Sequence, residues 1–244
     1  MSQAWVWLAG AALAAFAGAL AFSRGSQGSA AGWLGLAGLV VGSVQVGLVV
    51  SAVQRPPLIG GQESIGEIAL LTSALALADW WSGPPGRPAA RWSWLWCLIL
   101  WGLLLLLPRQ LHPDSYMFDY PGLILFFQMR LAAIALLLHA ASRHLARRGA
   151  NQAGPLDGRR LLLAGMAAFL ISELAGAMWS FFWTGEFWHW NRGFLESAAL
   201  FMVIALPLHL PASWARRPVL ARAAGAAPGL VLAGVTLLHQ VSNG

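Results

Sequence analysis

Eight apolar stretches, each close to a membrane-crossing length, follow one another along a chain of 244 residues with only short polar breaks between them. They cover residues 4–22, 31–53, 63–82, 92–108, 119–142, 160–180, 195–211 and 219–240. A transmembrane helix needs about 20 predominantly apolar residues to cross a hydrocarbon core roughly 30 Å thick. The expected fold is therefore all-α, a polytopic integral membrane bundle of about eight helices. With 58% apolar and 10% charged residues, the chain leaves no room for a soluble domain, so residues 1–244 are read as a single membrane domain.

The fifteen basic residues are all arginine, and their positions give them a meaning that the net charge of +6 does not. Counted by alternating loops, Arg24, Arg87, Arg91, Arg143, Arg147, Arg148, Arg159, Arg160, Arg216, Arg217 and Arg222 fall on one side. The other side and the helices hold Arg55, Arg109, Arg130 and Arg192. By the positive-inside rule the first set is cytoplasmic, which puts both termini and the segment around residues 179–190 on the outer face. The charge thus reports topology, and no nucleic-acid partner is expected. The first stretch lacks a basic leader and is followed by Arg24, so it reads as a retained helix inserted with its N-terminus out.

The breaks carry helix-stopping residues, as in Ser82-Gly-Pro-Pro-Gly-Arg-Pro88 and Gly149-Ala-Asn-Gln-Ala-Gly-Pro155. Gly10, Ala14 and Gly18 recur every four residues in the first helix, a spacing that allows close backbone approach but is common in alanine-rich helices. The lone Cys97 excludes an internal disulfide. The absence of lysine excludes P-loop ATPases and Schiff-base chemistry, and no HExxH or GxSxG segment occurs.

Ionisable side chains inside spanning segments cost about 2.5–3.5 kcal/mol each on insertion scales, so they face partners or cavities. Glu67, Arg130 and Glu173 are such residues, all in the outer half by this topology. Arg130 and Glu173 are expected either to pair or to leave Arg130 to neutralise an anionic ligand group. Of the six histidines, His112, His189 and His239 fall toward the outer side, and His139, His144 and His209 toward the inner. His144, beside an arginine-rich loop, is expected to be solvated. His139 and His209 lie about one turn inside the ends of their helices and form a possible haem-ligating pair, since haem iron commonly takes axial histidine.

Aromatic residues dominate Trp179-Ser-Phe-Phe-Trp-Thr-Gly-Glu-Phe-Trp-His-Trp190. Interfacial belts enrich tryptophan in any membrane protein, and that explains Trp80, Trp81, Trp92, Trp94 and Trp96 at other helix ends. The 179–190 segment asks for more, because Trp179, Phe182, Phe187 and Trp190 repeat at helix-like spacing. It is expected to form an amphipathic surface helix presenting a flat platform suited to a large planar ligand.

Gly176-Ala-Met-Trp179 followed by Gly185-Glu-Phe-Trp-His-Trp-Asn191 resembles the tryptophan-rich WWD signature of the haem-handling membrane proteins of cytochrome c assembly, of the CcsA or ResC type. Pro56-Pro-Leu-Ile-Gly-Gly-Gln-Glu-Ser64, Gly234-Val-Thr-Leu-Leu238 and the position of His209 are similar to further family features. The chain departs from the pattern at Asn191, where the family has aspartate, and at Gln45, near which it has a ligand histidine. The resemblance implies a WWD-like segment over 176–197 and a non-covalent b-type haem. Its aromatic support would be Trp179, Trp183, Phe187, Trp188, Trp190 and Asn191. Iron-ligand candidates are His209, His139, His239, His112 and His189, with His139 as a partner for His209, and His112 or His189 for His239. Arg192, Arg109 and Arg55 could meet the propionates, with Arg130 and Glu173 as further charge partners.

The function implied is haem binding or transfer in cytochrome c-type maturation, in the plasma or inner membrane of a bacterium or an equivalent organelle membrane. Its partners would be membrane lipid, an apocytochrome c and a membrane subunit supplying an outer-face soluble domain. Any enzymatic part would be as a non-hydrolytic component of a haem–apocytochrome ligation system. Two other readings stand beside it: a structural or regulatory subunit that has kept the fold but lost haem ligation, and a b-type electron carrier using His139 and His209.

Overall fold

A computed structural model describes residues 4–23, 28–57, 61–107, 120–146, 158–188, 190 and 192–242. Among these the regular structure is entirely helical: α1 (Ala4–Phe22), α2 (Gly28–Val53), α3 (Gly61–Trp81), α4 (Arg87–Leu106), α5 (Pro121–Ala146), α6 (Gly158–Thr184), α7 (Arg192–Ala205), α8 (Ala212–Ala215) and α9 (Pro218–Ser242). A 3-10 turn, Leu206–His209, joins α7 to α8. Breakers act where the sequence places them. Pro121 and Pro218 open α5 and α9, where a missing N–H costs nothing. Gly185, at φ 79°, ends α6, its N–H donating to the Phe181 carbonyl at 2.8 Å.

Among the described residues seven helices, α7 being counted together with the 3-10 turn, are long and apolar enough to cross a membrane by length and composition; the sequence leads one to expect eight. Outside that set are the four-residue α8 and α3, which spans 21 residues but carries Glu63, Glu67 and Asp79. Cross-contacts show that it nonetheless runs the length of the bundle. At its start, Gln62 accepts from Trp5 of α1 (3.2 Å) and donates to the Leu104 and Leu107 carbonyls at the end of α4 (2.8 and 3.3 Å). At its other end Asp79 pairs with Arg143 in the last turn of α5. Consecutive helices from α1 to α5 therefore alternate in direction, so that α3 packs antiparallel to α2 and α4 and parallel to α5, while α5 also packs against α6 and α9. The polar side chains Gln62, Glu63, Ser64, Thr72, Ser73 and Asp79 are all buried. Other helices and the α2–α3 connection supply partners for Gln62, Glu63 and Asp79 that lipid could not, while Ser73 donates to the Leu70 carbonyl of its own helix.

Glycines of α2 let the indoles of its neighbours into the core. A Cβ added at Gly35 would lie 2.9 Å from the Trp94 ring, at Gly42 2.8 Å from Trp101, and at Gly32 2.8 Å from Trp80. These three tryptophans are at most 3% exposed. The belt reading thus fits Trp81 and Trp92, which are exposed, but not Trp80 or Trp94, whose rings face glycine rather than the interface. In α1, Gly10 has open space around it, whereas Gly225 and Gly229 of α9 sit hard against His144 and the Leu137 backbone of α5. Small residues four apart permit close approach most clearly in the last helix; in the first, Gly18 meets Leu34 of α2, where a Cβ would lie 3.1 Å from its side chain.

Candidate functional site

The aromatic segment is divided between two structures rather than forming one surface helix. Trp179 to Thr184 complete α6, which runs beyond the expected boundary because nothing before Gly185 stops it. Phe187, Trp188 and Trp190 follow in irregular backbone leading to α7. His189 and Asn191 lie outside the described residues, as do Arg109 and His112.

The rings do not make a flat platform. Among the described residues only Phe181 and Phe187 are stacked, 4.1 Å apart and 7° from parallel. Trp183 meets Tyr120 edge-on at 6.0 Å and tilts against Trp179 at 6.4 Å, while Trp179 packs into a small apolar cluster around Leu123. Trp188 lies edge-on to Trp190 at 6.0 Å and tilted against Phe194 of α7 at 4.8 Å. The reason is the ring quadrupole, which favours edge-to-face and tilted contacts over sandwiches. What remains is an exposed aromatic rim in two parts, with Phe182 and Trp190 the most open at 76% and 84%.

Charged groups adjoin this rim. Arg192 Nε donates to Glu196 Oε1 at 2.5 Å one turn further along α7, and His239 Nε2 near the end of α9 lies 3.5 Å from Glu196 Oε2. Deeper down, Arg130 of α5 pairs with Glu173 of α6 and donates to Ser172 (3.4 Å) and to Ser197 of α7 (3.2 Å). Its guanidinium lies 4.4 Å from the Phe169 ring centroid and 5.2 Å from that of Phe126. Arg130 therefore ties α5, α6 and α7 together beneath the rim. Arg55 forks onto Glu63, at 2.8 and 3.3 Å, with its side chain largely buried.

A second polar centre sits at the opposite end of the bundle. His139 is fully buried, with Nδ1 2.8 Å from Ser93 Oγ of α4 and Nε2 3.0 Å from Asp79 Oδ2 of α3. The second contact is a close approach of a carboxylate without the alignment of a hydrogen bond. The other carboxylate oxygen of Asp79 takes Arg143. Both ring nitrogens of His139 thus face side chains of α3 and α4, while His209 is exposed in the 3-10 turn. His144 corrects the expectation of a solvated side chain: it is 9% exposed, covered where Gly158 of α6 and Gly225 of α9 leave room for the ring. Sequence reasoning missed Asp79, Ser93 and Arg143. Their signal was an acid near the end of one predicted helix and a base near the end of another, at the same predicted depth.

Among the described residues no group of three or more His, Cys, Asp or Glu side chains could hold a metal ion. No family model, no curated protein and no solved structure matches the chain.

Proposed function

We propose that this protein is a haem-binding or haem-transferring membrane component of cytochrome c-type maturation, presenting haem at the aromatic rim between α6 and α7. The observation that carries the reading is the juxtaposition of exposed Trp188 and Trp190 with the Arg192–Glu196–His239 group. Those residues suit the ligand in kind: indole faces for a macrocycle, an imidazole for iron and a guanidinium for a carboxylate. When bound, haem supplies the vinyl groups that an apocytochrome's thiols attack. The chain's own part is to hold that face open, to offer the His239 nitrogen, and to keep Arg192 beside it. His139, with Asp79 and Ser93 at its two nitrogens, is better suited to a structural role, and Arg130 and Arg55 are matched by Glu173 and Glu63. In this reading α3 is the eighth crossing, both termini and the rim lie on the outer face, and the partners are an apocytochrome and a subunit with an outer-face soluble domain.

The test is direct. Protein purified after expression with excess haem should show a Soret band and haem stain, and His239→Ala should shift or remove that band. A colourless protein under those conditions defeats the proposal. A structural or regulatory subunit is the second reading, favoured because Arg55 and Arg130 are paired with Glu63 and Glu173 and His139 is enclosed by Asp79 and Ser93.

A further inference from the structure

Glu67 stands apart from the other acidic side chains of the helices. Glu63 has Arg55, Asp79 has Arg143, Glu173 has Arg130 and Glu196 has Arg192. Glu67 has the Gln128 amide of α5, whose Nε2 donates to Glu67 Oε2 at 3.1 Å and to the Pro57 carbonyl at 2.7 Å. Among the described residues, the charged and titratable groups near it on α3, α4 and α5 are engaged elsewhere. On its own helix Glu63 is held by Arg55 from the α2–α3 connection. On α5 Arg130 is held by Glu173, and on α4 the Cys97 thiol donates to the Ala69 carbonyl at 3.7 Å. Gln45 of α2 is uncharged.

Glu67 is half-buried, with no cation paired to it among the described residues, and an ionised carboxylate drawn out of water in that way is disfavoured, the usual escape being to take up a proton. One amide donor offsets part of that cost, about 1.5–3 kcal/mol for a hydrogen bond to a charged group. The two forms are thereby brought close in free energy. We propose that Glu67 is a proton-binding site of the bundle, exchanging a proton while in contact with Gln128 and, through it, with the α2–α3 connection. The ionised form accepts from Gln128; the neutral form gains an O–H and can donate as well. Loading the site alters the contact between α3 and α5 without disturbing the Arg55–Glu63 or Arg130–Glu173 pairs. The inference does not depend on haem.

Dicyclohexylcarbodiimide, an apolar reagent, tests it on the full chain in detergent. It adds only to a protonated carboxyl. The acid proton moves to a carbodiimide nitrogen, the carboxyl oxygen bonds the central carbon, and the adduct rearranges to a stable N-acylurea with nothing lost. The expected result is an adduct on the Glu67 peptide by mass spectrometry that accumulates as the pH is lowered and declines about tenfold per pH unit once the carboxyl ionises. Infrared spectra provide an independent reading: a carboxylic-acid carbonyl band present in the wild type, lost as the pH is raised and missing from Glu67→Gln. Either the titrating adduct or the titrating band supports the site, and absence of both overturns it. Labelling suppressed by sodium but not by choline at fixed pH also overturns it, because the ligand would then be a metal cation.

Discussion

Trp94 and Trp190 are the same side chain in opposite situations. The first is enclosed between α2, α3 and α4, its ring against Gly35 and 4.7 Å from that of Trp80. The second is 84% exposed at the rim before α7. Tryptophan frequency does not distinguish them; the size of the residue opposite does. Where α2 offers glycine, an indole becomes core, and where the chain turns after Gly185, indoles are left facing outward.

The comparison breaks first if the enclosed region tolerates loss. Asp79→Leu should destabilise by about 3–5 kcal/mol, since it strands Arg143 and the buried His139 network. Detergent-denaturation midpoints check this, and a midpoint unchanged from the wild type would mean that the buried network carries little stability. Trp94→Ala should cost a similar amount, about 3–5 kcal/mol, through the cavity left in close packing, read by the same titration. Next in size is Gly42→Ala, expected to cost about 1–3 kcal/mol because its Cβ would meet Trp101. Combining it with Trp101→Leu should recover part of the loss, a coupling that separates steric conflict from helix propensity. Smallest for stability is Trp188→Ala with Trp190→Ala, each within about 0.5 kcal/mol of wild type as surface changes. The same pair should weaken haem binding about tenfold in a spectral titration if each ring contributes roughly 0.7 kcal/mol of contact.

The helical bundle was readable because an apolar run of membrane length has few other uses, and seven of the eight expected segments meet that description. The ends were less so. α6 extends to Thr184 because Phe181, Phe182 and Trp183 continue a helix as readily as they form a surface one, and only Gly185 decides where it stops. Trp80 and Trp94 could not be separated from belt residues, since burial depends on glycines some 48 to 59 positions earlier in the chain. The Arg130–Glu173 pair was accessible because both charges fall inside apolar segments at matching depth. Asp79 and Arg143 lie at segment ends, where a charge is ordinarily solvated, and nothing local signals that other helices cover them. The orientation of the aromatic rings is a property of pairwise contacts, so composition indicated many rings but not their planes.

The enclosure of α3 bears on how the protein is made. On insertion scales Glu63, Glu67 and Asp79 would each add a penalty of up to about 3 kcal/mol to a helix entering lipid alone. Gln62 sharpens the dependence, because its amide satisfies carbonyls at the end of α4, a helix synthesised later. In the proposed eight-helix topology α3 therefore completes its polar contacts only once α4 is in place. The earliest committed step of assembly is then a group of helices entering together rather than one crossing at a time.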